Sequence, residues 1–296
     1  MKKLQFKKID VFTEGGSAGN PAGYILLEHP DQLSQDEMQR VAMELKGFVS
    51  EVGFVHKRGE EYGIKYFSSE CEVAFCGHVT IAIMNDLLRN DEDVLDKDKV
   101  FININAEKLS VYNHLKDENA VYIMAPDPKF LECHVNMSEI GKALSIDSSV
   151  INRFRPVKVI EAGLKTLIVS IKTLSDCLEI FPDQEALRLF CLNNGIDIVH
   201  ISTKETYLDN CSYRTRVFAP KFGYLEDPAT GSGNAAFGYY LIAQGLWKDE
   251  ITIEQGFDKY KPNIVKLKRK LIGEKKVLLF GGSSVTRVQG TYFIHN

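Results

Sequence analysis

At 296 residues, with 44% apolar and 26% charged residues and a formal net charge of −4, the chain has the composition of a soluble globular protein long enough for two domains of ordinary size. It lacks the basic excess that a nucleic-acid surface requires, no apolar run approaches the ~20 residues of a membrane span, and Met1 to Phe6 lead into Lys7-Lys8 rather than into an apolar signal core. Nucleic-acid and membrane partners are therefore set aside, and the expected compartment is the cytoplasm.

The opening reads as a strand from Lys7 to Phe12, a glycine-rich turn through Gly15, Gly16 and Gly19, and a second apolar run, Gly23 to Leu27, an order that suggests antiparallel pairing. Ser34 stands three residues before Glu37, as in a capping box, and Met38, Val41, Ala42 and Leu45 continue with helical spacing to a stop near Gly47. Phe48 to Val55 returns to strand character and carries one carboxylate, Glu51, among apolar neighbours. By alternation Val49, Glu51 and Gly53 share one side, so simple exposure on a wet face competes with a functional role; if buried, such a carboxylate would suit proton transfer near neutral pH. Further strands are expected at Tyr62 to Phe67, Val100 to Ile104, Leu109 to Tyr112 and Ala120 to Met124, which together make a mostly antiparallel sheet curling around one helix that follows Gly77.

Pro126 and Pro128 mark the expected domain boundary, giving domains 1–126 and 127–296, with the last strand, about 285–296, a candidate to pack back on the first. The second half repeats the inventory: a helix near Ser138 to Leu144, strands at Val157 to Ile160 and Thr166 to Ile171, a helix over Gln184 to Asn194, and strands at Ile198 to Ser202 and Tyr213 to Phe218. A second helix-opening turn follows, then strands near Thr252, Ile264 to Leu271 and Val277 to Phe280, and Gly281-Gly282 introduces a closing strand, Val285 to Val288.

The two helix-opening turns are the most informative feature. Cys76-Gly77-His78 and Thr230-Gly231-Ser232 each follow a strand and each open an amphipathic segment. A glycine there lets backbone approach a ligand, and the first turn of a helix offers unpaired N–H groups at the positive end of its dipole. Two such ends suit a carboxylate and the enolate it becomes; the bland alternative is a pair of ordinary turns capped by Thr230 or Ser232. Acidic Asp227 just before the second turn favours function. Cys76 at a helix N-terminus is expected to favour thiolate. The six cysteines, at 71, 76, 133, 177, 191 and 211, are scattered without a C-x-x-C pair or a neighbouring histidine at metal-ligand spacing, so neither a zinc site nor a disulfide framework is indicated; with no P-loop or dinucleotide fingerprint, no metal and no cofactor is expected.

Several marks in order resemble the PhzF-like isomerases, related in fold to diaminopimelate epimerase and proline racemase: Ile9 to Thr13, Gly19-Asn20-Pro21-Ala22, Ser50-Glu51 followed by Phe54, Cys76-Gly77-His78, Arg216 to Pro220, Glu226 to Ser232, and Glu254-Gln255-Gly256. The resemblance runs from end to end. It implies an α+β fold of two similar domains, each a mixed, mostly antiparallel barrel-like sheet around a central helix, and commonly a homodimer. It also implies cofactor-free catalysis that moves a proton on a small carboxylic acid; in the phenazine-pathway member the substrate is a dihydro-hydroxyanthranilate. Carried over by position, Glu51 is the general acid/base and His78, Asp227 and Ser232 assist. Asn20, Cys76, Gly77, Thr230, Gly231 and Ser232 then line the substrate site. Val52 stands where the family often has threonine, and Tyr260-Lys261-Pro262 where it has glycine-arginine-proline, which exchanges a fork-shaped guanidinium for a point charge. The competing readings are a one-thiol racemase, epimerase or dehydratase using Cys76, and a ligand-binding paralogue without turnover.

Overall fold

A computed structural model of the chain describes residues 1–14, 16–104 and 107–295, so Gly15 of the opening turn lies outside the described residues. The chain divides into two units, Met1–Met124 with Gly281–Asn296, and Ala125–Phe280.

The first unit runs β1 (Lys2–Val11), β2 (Asn20–Leu27), α1 (Gln35–Glu44), β3 (Glu51–Arg58), β4 (Glu61–Ser68), β5 (Glu72–Val73), α2 (Gly77–Asn90), β6 (Lys99–Ile104), β7 (Glu107–His114), α3 (Leu115–Glu118) and β8 (Ala120–Met124). In the second follow β9 (Lys129–Leu131), α4 (Met137–Ala143), β10 (Lys158–Glu161), β11 (Lys165–Ser170), α5 (Leu174–Glu179), α6 (Gln184–Asn193), β12 (Ile198–Thr203), β13 (Tyr213–Phe218), β14 (Glu226–Asp227), α7 (Gly231–Ala243), β15 (Glu250–Gln255), β16 (Asn263–Ile272) and β17 (Lys275–Gly282). The final strand, β18 (Ser284–Ile294), returns to lie antiparallel on β1. The fold is α+β, with a mostly antiparallel sheet in each unit.

Register alternation and helix enclosure explain how each unit is filled. On β3, Val52 and Phe54 point outward and pack with Met38, Val41 and Ala42 of α1, a helix started by the Ser34–Glu37 capping box. Gly53 points the other way, where an added Cβ would stand 2.5 Å from Ile83 Cδ1 and 2.7 Å from Val79 Cγ1 of α2. Residues 79–88 of α2 are all buried, and α7 is likewise buried over most of its circumference. The sequence reads both helices as amphipathic; the structure corrects that reading, because a helix enclosed by its own sheet has no wet face to keep polar.

Other boundaries move as well. β1 begins at Lys2 rather than Lys7, because it needs its full length to pair with β18. β3 begins only at Glu51: residues from Leu45 to Val49 form a turn around Gly47, whose φ of 83° suits glycine. Gly281-Gly282 end β17 rather than forming a separate link. The short elements β5, β9, β14, α3 and α5 carry too few residues to show a period in the sequence.

The internal repeat holds at the level of strand register. β1/β2 and β10/β11 pair antiparallel, β2/β3 and β11/β12 parallel, β3/β4 and β12/β13 antiparallel, and β4/β6 and β13/β15 parallel. β18 flanks β1 as β9 flanks β10. Residue equivalences follow: Val52 opposite Phe67 corresponds to Val199 opposite Phe218, and Tyr66 opposite Val73 to Val217 opposite Asp227. Glu51, beside Ala22, therefore corresponds to Ile198, beside Thr166. The two units share a scaffold and differ in what they place on it.

Gly231 tests how tightly α7 is seated. A Cβ there would stand 2.2 Å from a ring carbon of Phe280. Gly231→Ala is expected to destabilise the protein by about 1–3 kcal/mol, the usual cost of forcing extra volume into a packed site, read from the urea midpoint. An unchanged midpoint would show that the ring moves freely.

Candidate active site

In the first unit the start of β3 and the start of α2 meet on the inner face of the sheet. Glu51 is on the same side of β3 as Gly53, facing α2, and is set against His78, the second residue of that helix. His78 Nε2 and Glu51 Oε2 are 3.2 Å apart, with the side chains only 11% and 18% exposed. On the other edge of the imidazole, Nδ1 lies 3.4 Å from Cys76 Sγ. Simple exposure of Glu51 on a wet face is thus overturned. Although close enough for charge attraction, the Glu51 Oε2 and His78 Nε2 atoms are not aligned as a hydrogen bond, and both remain buried without a partner of their own.

Asn20 stands on the neighbouring strand, where its Oδ1 accepts from the Ser50 hydroxyl at 3.1 Å, next to Glu51 in the chain. Behind the turn, the Thr80 hydroxyl donates to the Cys76 carbonyl at 2.7 Å, so its 2.6 Å contact with Tyr66 must be donated by the phenol. That phenol is fully buried and its pKa is pushed far up by burial, which leaves it a neutral donor.

Burial opposes charge on the His78 imidazole, but Cys76 and Glu51 beside it outweigh that cost and hold its pKa well above the usual histidine range. For Cys76 burial is the largest influence and raises the thiol, against the pull of His78. The expectation of a thiolate at this helix end is corrected: removal from water costs the anion more than the helix terminus returns.

In the second unit, Asp227 ends β14 and Thr230 precedes the first residue of α7, with Gly231 and Ser232 opening the helix. Neither Thr230 nor Cys76 caps its helix with a side-chain hydrogen bond, another departure from the bland reading. Instead the Thr230 hydroxyl donates to Asp227 Oδ2 at 2.5 Å. Gln255, which the sequence offers only as part of a family mark, holds this turn. Its Oε1 accepts from the Thr230 N–H and Asn234 Nδ2, and its Nε2 donates to the Asp227 carbonyl and Thr230 Oγ1. Asn234 in turn bonds back to the Thr230 carbonyl at 2.8 Å and accepts from His200 Nε2 at 3.2 Å. His200, stacked on Phe237, is pushed down to about 4 by burial and stays neutral. Thr80 and Asn234, each one turn into its helix among apolar neighbours, are functional positions outside the residues that motif order picks out.

Glu51, Cys76 and His78 are thus brought together in one unit, with Asn20 alongside, and Asp227 and Thr230 in the other, with Gly231 and Ser232 next in the chain. Two repeated units, each with a helix opening inside a curled sheet, make the diaminopimelate epimerase-like fold, and a carboxylate–imidazole pair stands at one of the two openings. The chain belongs to the PhzC-PhzF family, described as Phenazine biosynthesis-like protein, which it matches over residues 9–290. It is 29% identical over 306 residues to Antisense-enhancing sequence 1 of Schizosaccharomyces pombe, covering 99% of this chain and 100% of that protein. To the Uncharacterized isomerase YfhB of Bacillus subtilis it is 29% identical, over 86% of this chain and 87% of the relative. Among solved structures, the PhzF-family protein of Bacillus anthracis superposes with a TM-score of 0.86 at 24% identity, covering 99% and 100% of the two chains. A protein of Agrobacterium radiobacter described as a "probable proline racemase" shares the fold at a TM-score of 0.65 and 12% identity, over 99% and 93%.

Two measurements check this geometry. The ring resonances of His78 are expected to titrate with a midpoint above the ordinary ~6.5 and to shift down in Glu51→Gln. The sign follows from a raised folded pKa: stability from this pairing is fully present below about 6.5 and is lost as pH rises through the folded value. A midpoint that ignores the substitution would dissolve the pair. Gln255→Leu should orphan the buried groups of the turn and cost about 1–3 kcal/mol for each one left unsatisfied, measured by urea unfolding; a variant as stable as wild type would show that the network is not bonded as described.

Proposed function

We propose that the chain is a cofactor-independent isomerase that moves a proton on a small carboxylic acid, with Glu51 as general acid/base and His78 and Asp227 assisting. One observation carries the reading: a half-buried carboxylate and an imidazole 3.2 Å apart, each with an unsatisfied atom, at the mouth of a helix that no side chain caps. Buried polar atoms are rarely left without partners, and a reacting group supplies what is missing. Proton transfer needs a base within hydrogen-bond reach of the substrate and a neighbour that shifts protonation, and His78, held in its charged form, is such a neighbour. First-turn N–H groups at Gly77 suit a substrate carboxylate or the negative charge that grows on it as the proton leaves, and those at Gly231 offer the same kind of donors in the second unit.

The asymmetry of the repeat supports a single carboxylate base. Ile198 stands at the position equivalent to Glu51, and Val73 at that equivalent to Asp227. Thr230 stands at the second helix opening where Cys76 stands at the first, so the repeat offers no second thiol. Cys76, whose thiol is raised by burial, is poorly placed as a lone base, which weighs against the one-thiol reading.

The test is proton NMR in deuterated water with a panel of cyclic β-hydroxy and α-amino carboxylic acids, including a dihydro-hydroxyanthranilate. Exchange or rearrangement of a carbon-bound hydrogen is expected with wild type and at least ~100-fold slower with Glu51→Gln, the order of a general acid/base contribution. Full activity in the variant, or binding without exchange by wild type across the panel, would refute the assignment.

A further inference from the structure

The Glu51–Cys76–His78 trio has a second chemical capability. A carboxylate oxygen, a thiol sulfur and an imidazole nitrogen from these residues lie within 4.8 Å of one another. Nothing in the linear sequence shows it, because a single residue separates the cysteine from the histidine and the glutamate comes from a strand far back in the chain. Thiolate, imidazole and carboxylate are the donor types that zinc takes, and a catalytic-type zinc site uses three protein ligands with a fourth position open. We infer that this trio forms a binding site for a thiophilic divalent cation, Zn²⁺ above all, and that occupation of the site switches off the proton transfer proposed for Glu51.

The geometry needs only a small contraction. Donors about 2.0–2.3 Å from one tetrahedral zinc lie roughly 3.3–3.7 Å from each other. One of the present contacts, 3.4 Å from Cys76 Sγ to His78 Nδ1, already has that length, and the other, 3.2 Å from His78 Nε2 to Glu51 Oε2, is just under it. Because the thiol faces one imidazole nitrogen and the carboxylate the other, the cation takes a single nitrogen and the third donor swings inward by rotation of its side chain. Glu51 Oε2 and His78 Nε2 have no other hydrogen-bond partner to surrender. Among the described residues this is the trio of mixed donors close enough to share one ion. In the binding step the Cys76 S–H bond breaks, an S–metal bond forms, and the proton passes to buffer, with any proton on the coordinating imidazole nitrogen; no electrons are exchanged. Bound metal then holds the carboxylate and the imidazole that the acid/base step needs. The regulatory half of this inference rests on the function proposed above, whereas metal binding does not.

The experiment is titration of the metal-free full chain with Co²⁺, whose thiolate charge-transfer and tetrahedral ligand-field bands report the donors directly, followed by displacement with Zn²⁺. Wild type is expected to bind one Co²⁺ with a thiolate band that Zn²⁺ removes. Cys76→Ser should lose that band while keeping its circular dichroism, Cys71→Ser should keep it, and Glu51→Gln should bind at least ~10-fold more weakly. Absence of saturable binding, a band that survives Cys76→Ser or disappears in Cys71→Ser, or an undiminished affinity in Glu51→Gln would each overturn the site. If Cys76→Ser fails to fold, the Glu51→Gln affinity and the Cys71→Ser spectrum decide alone. Where wild type also turns over a carboxylic acid, stoichiometric Zn²⁺ should suppress that exchange, and persistence of full activity in zinc-loaded protein would overturn the regulatory half. Lack of turnover with intact cobalt binding would count against the proposed isomerase and leave the metal site standing.

Discussion

A helix enclosed by its own sheet is the constraint on which the molecule depends. Once α2 occupies the inside of the first unit, every inward-facing residue of β3 must answer to it: at Gly53 the methyl groups of Val79 and Ile83 leave room for no side chain, and one pleat earlier Glu51 meets the first turn of the same helix. The side-chain period of two along a strand links the packing requirement to the chemical one. Glu51 reaches His78 because Gly53 lets the helix come close. The same enclosure keeps the helix opening poor in water, where charge on a carboxylate or an imidazole counts for more.

The two units use that opening in opposite ways. In the second, Gln255, Asn234, His200 and the Thr230 hydroxyl form a directional set of hydrogen bonds that ends on the Asp227 carboxylate. Gln255 uses both its amide oxygen and its amide nitrogen within this set, and a buried network of this kind rigidifies a turn. Around Glu51 the polar groups are charged or chargeable and are left incompletely bonded. The two openings thus differ in kind, although they stand on copies of one scaffold.

Burial also explains where reading the residues one by one goes astray. A cysteine before a helix invites the expectation of a thiolate, yet desolvation decides in the other direction. A threonine before a helix invites the expectation of a cap, yet its hydroxyl has a stronger partner in the carboxylate three residues earlier. Both expectations were local, and both were overruled by atoms supplied from elsewhere in the same unit.

The strand and helix runs, the two glycine turns, the Ser34–Glu37 cap and the family itself were legible in the sequence, because alternation, turn chemistry and motif order are local properties carried by the letters. Glu51 was legible as an oddity, a carboxylate in an apolar strand, but not as a partner of His78. That contact depends on which face of β3 turns toward α2; the raised thiol of Cys76, the equivalence of Glu51 with Ile198 and the bracing of Asp227 by Gln255 depend likewise on burial and strand pairing. Register and burial arise only when strands distant in the chain pair around a helix, and the desolvation that raises the Cys76 thiol and lowers His200 has no meaning until that enclosure exists.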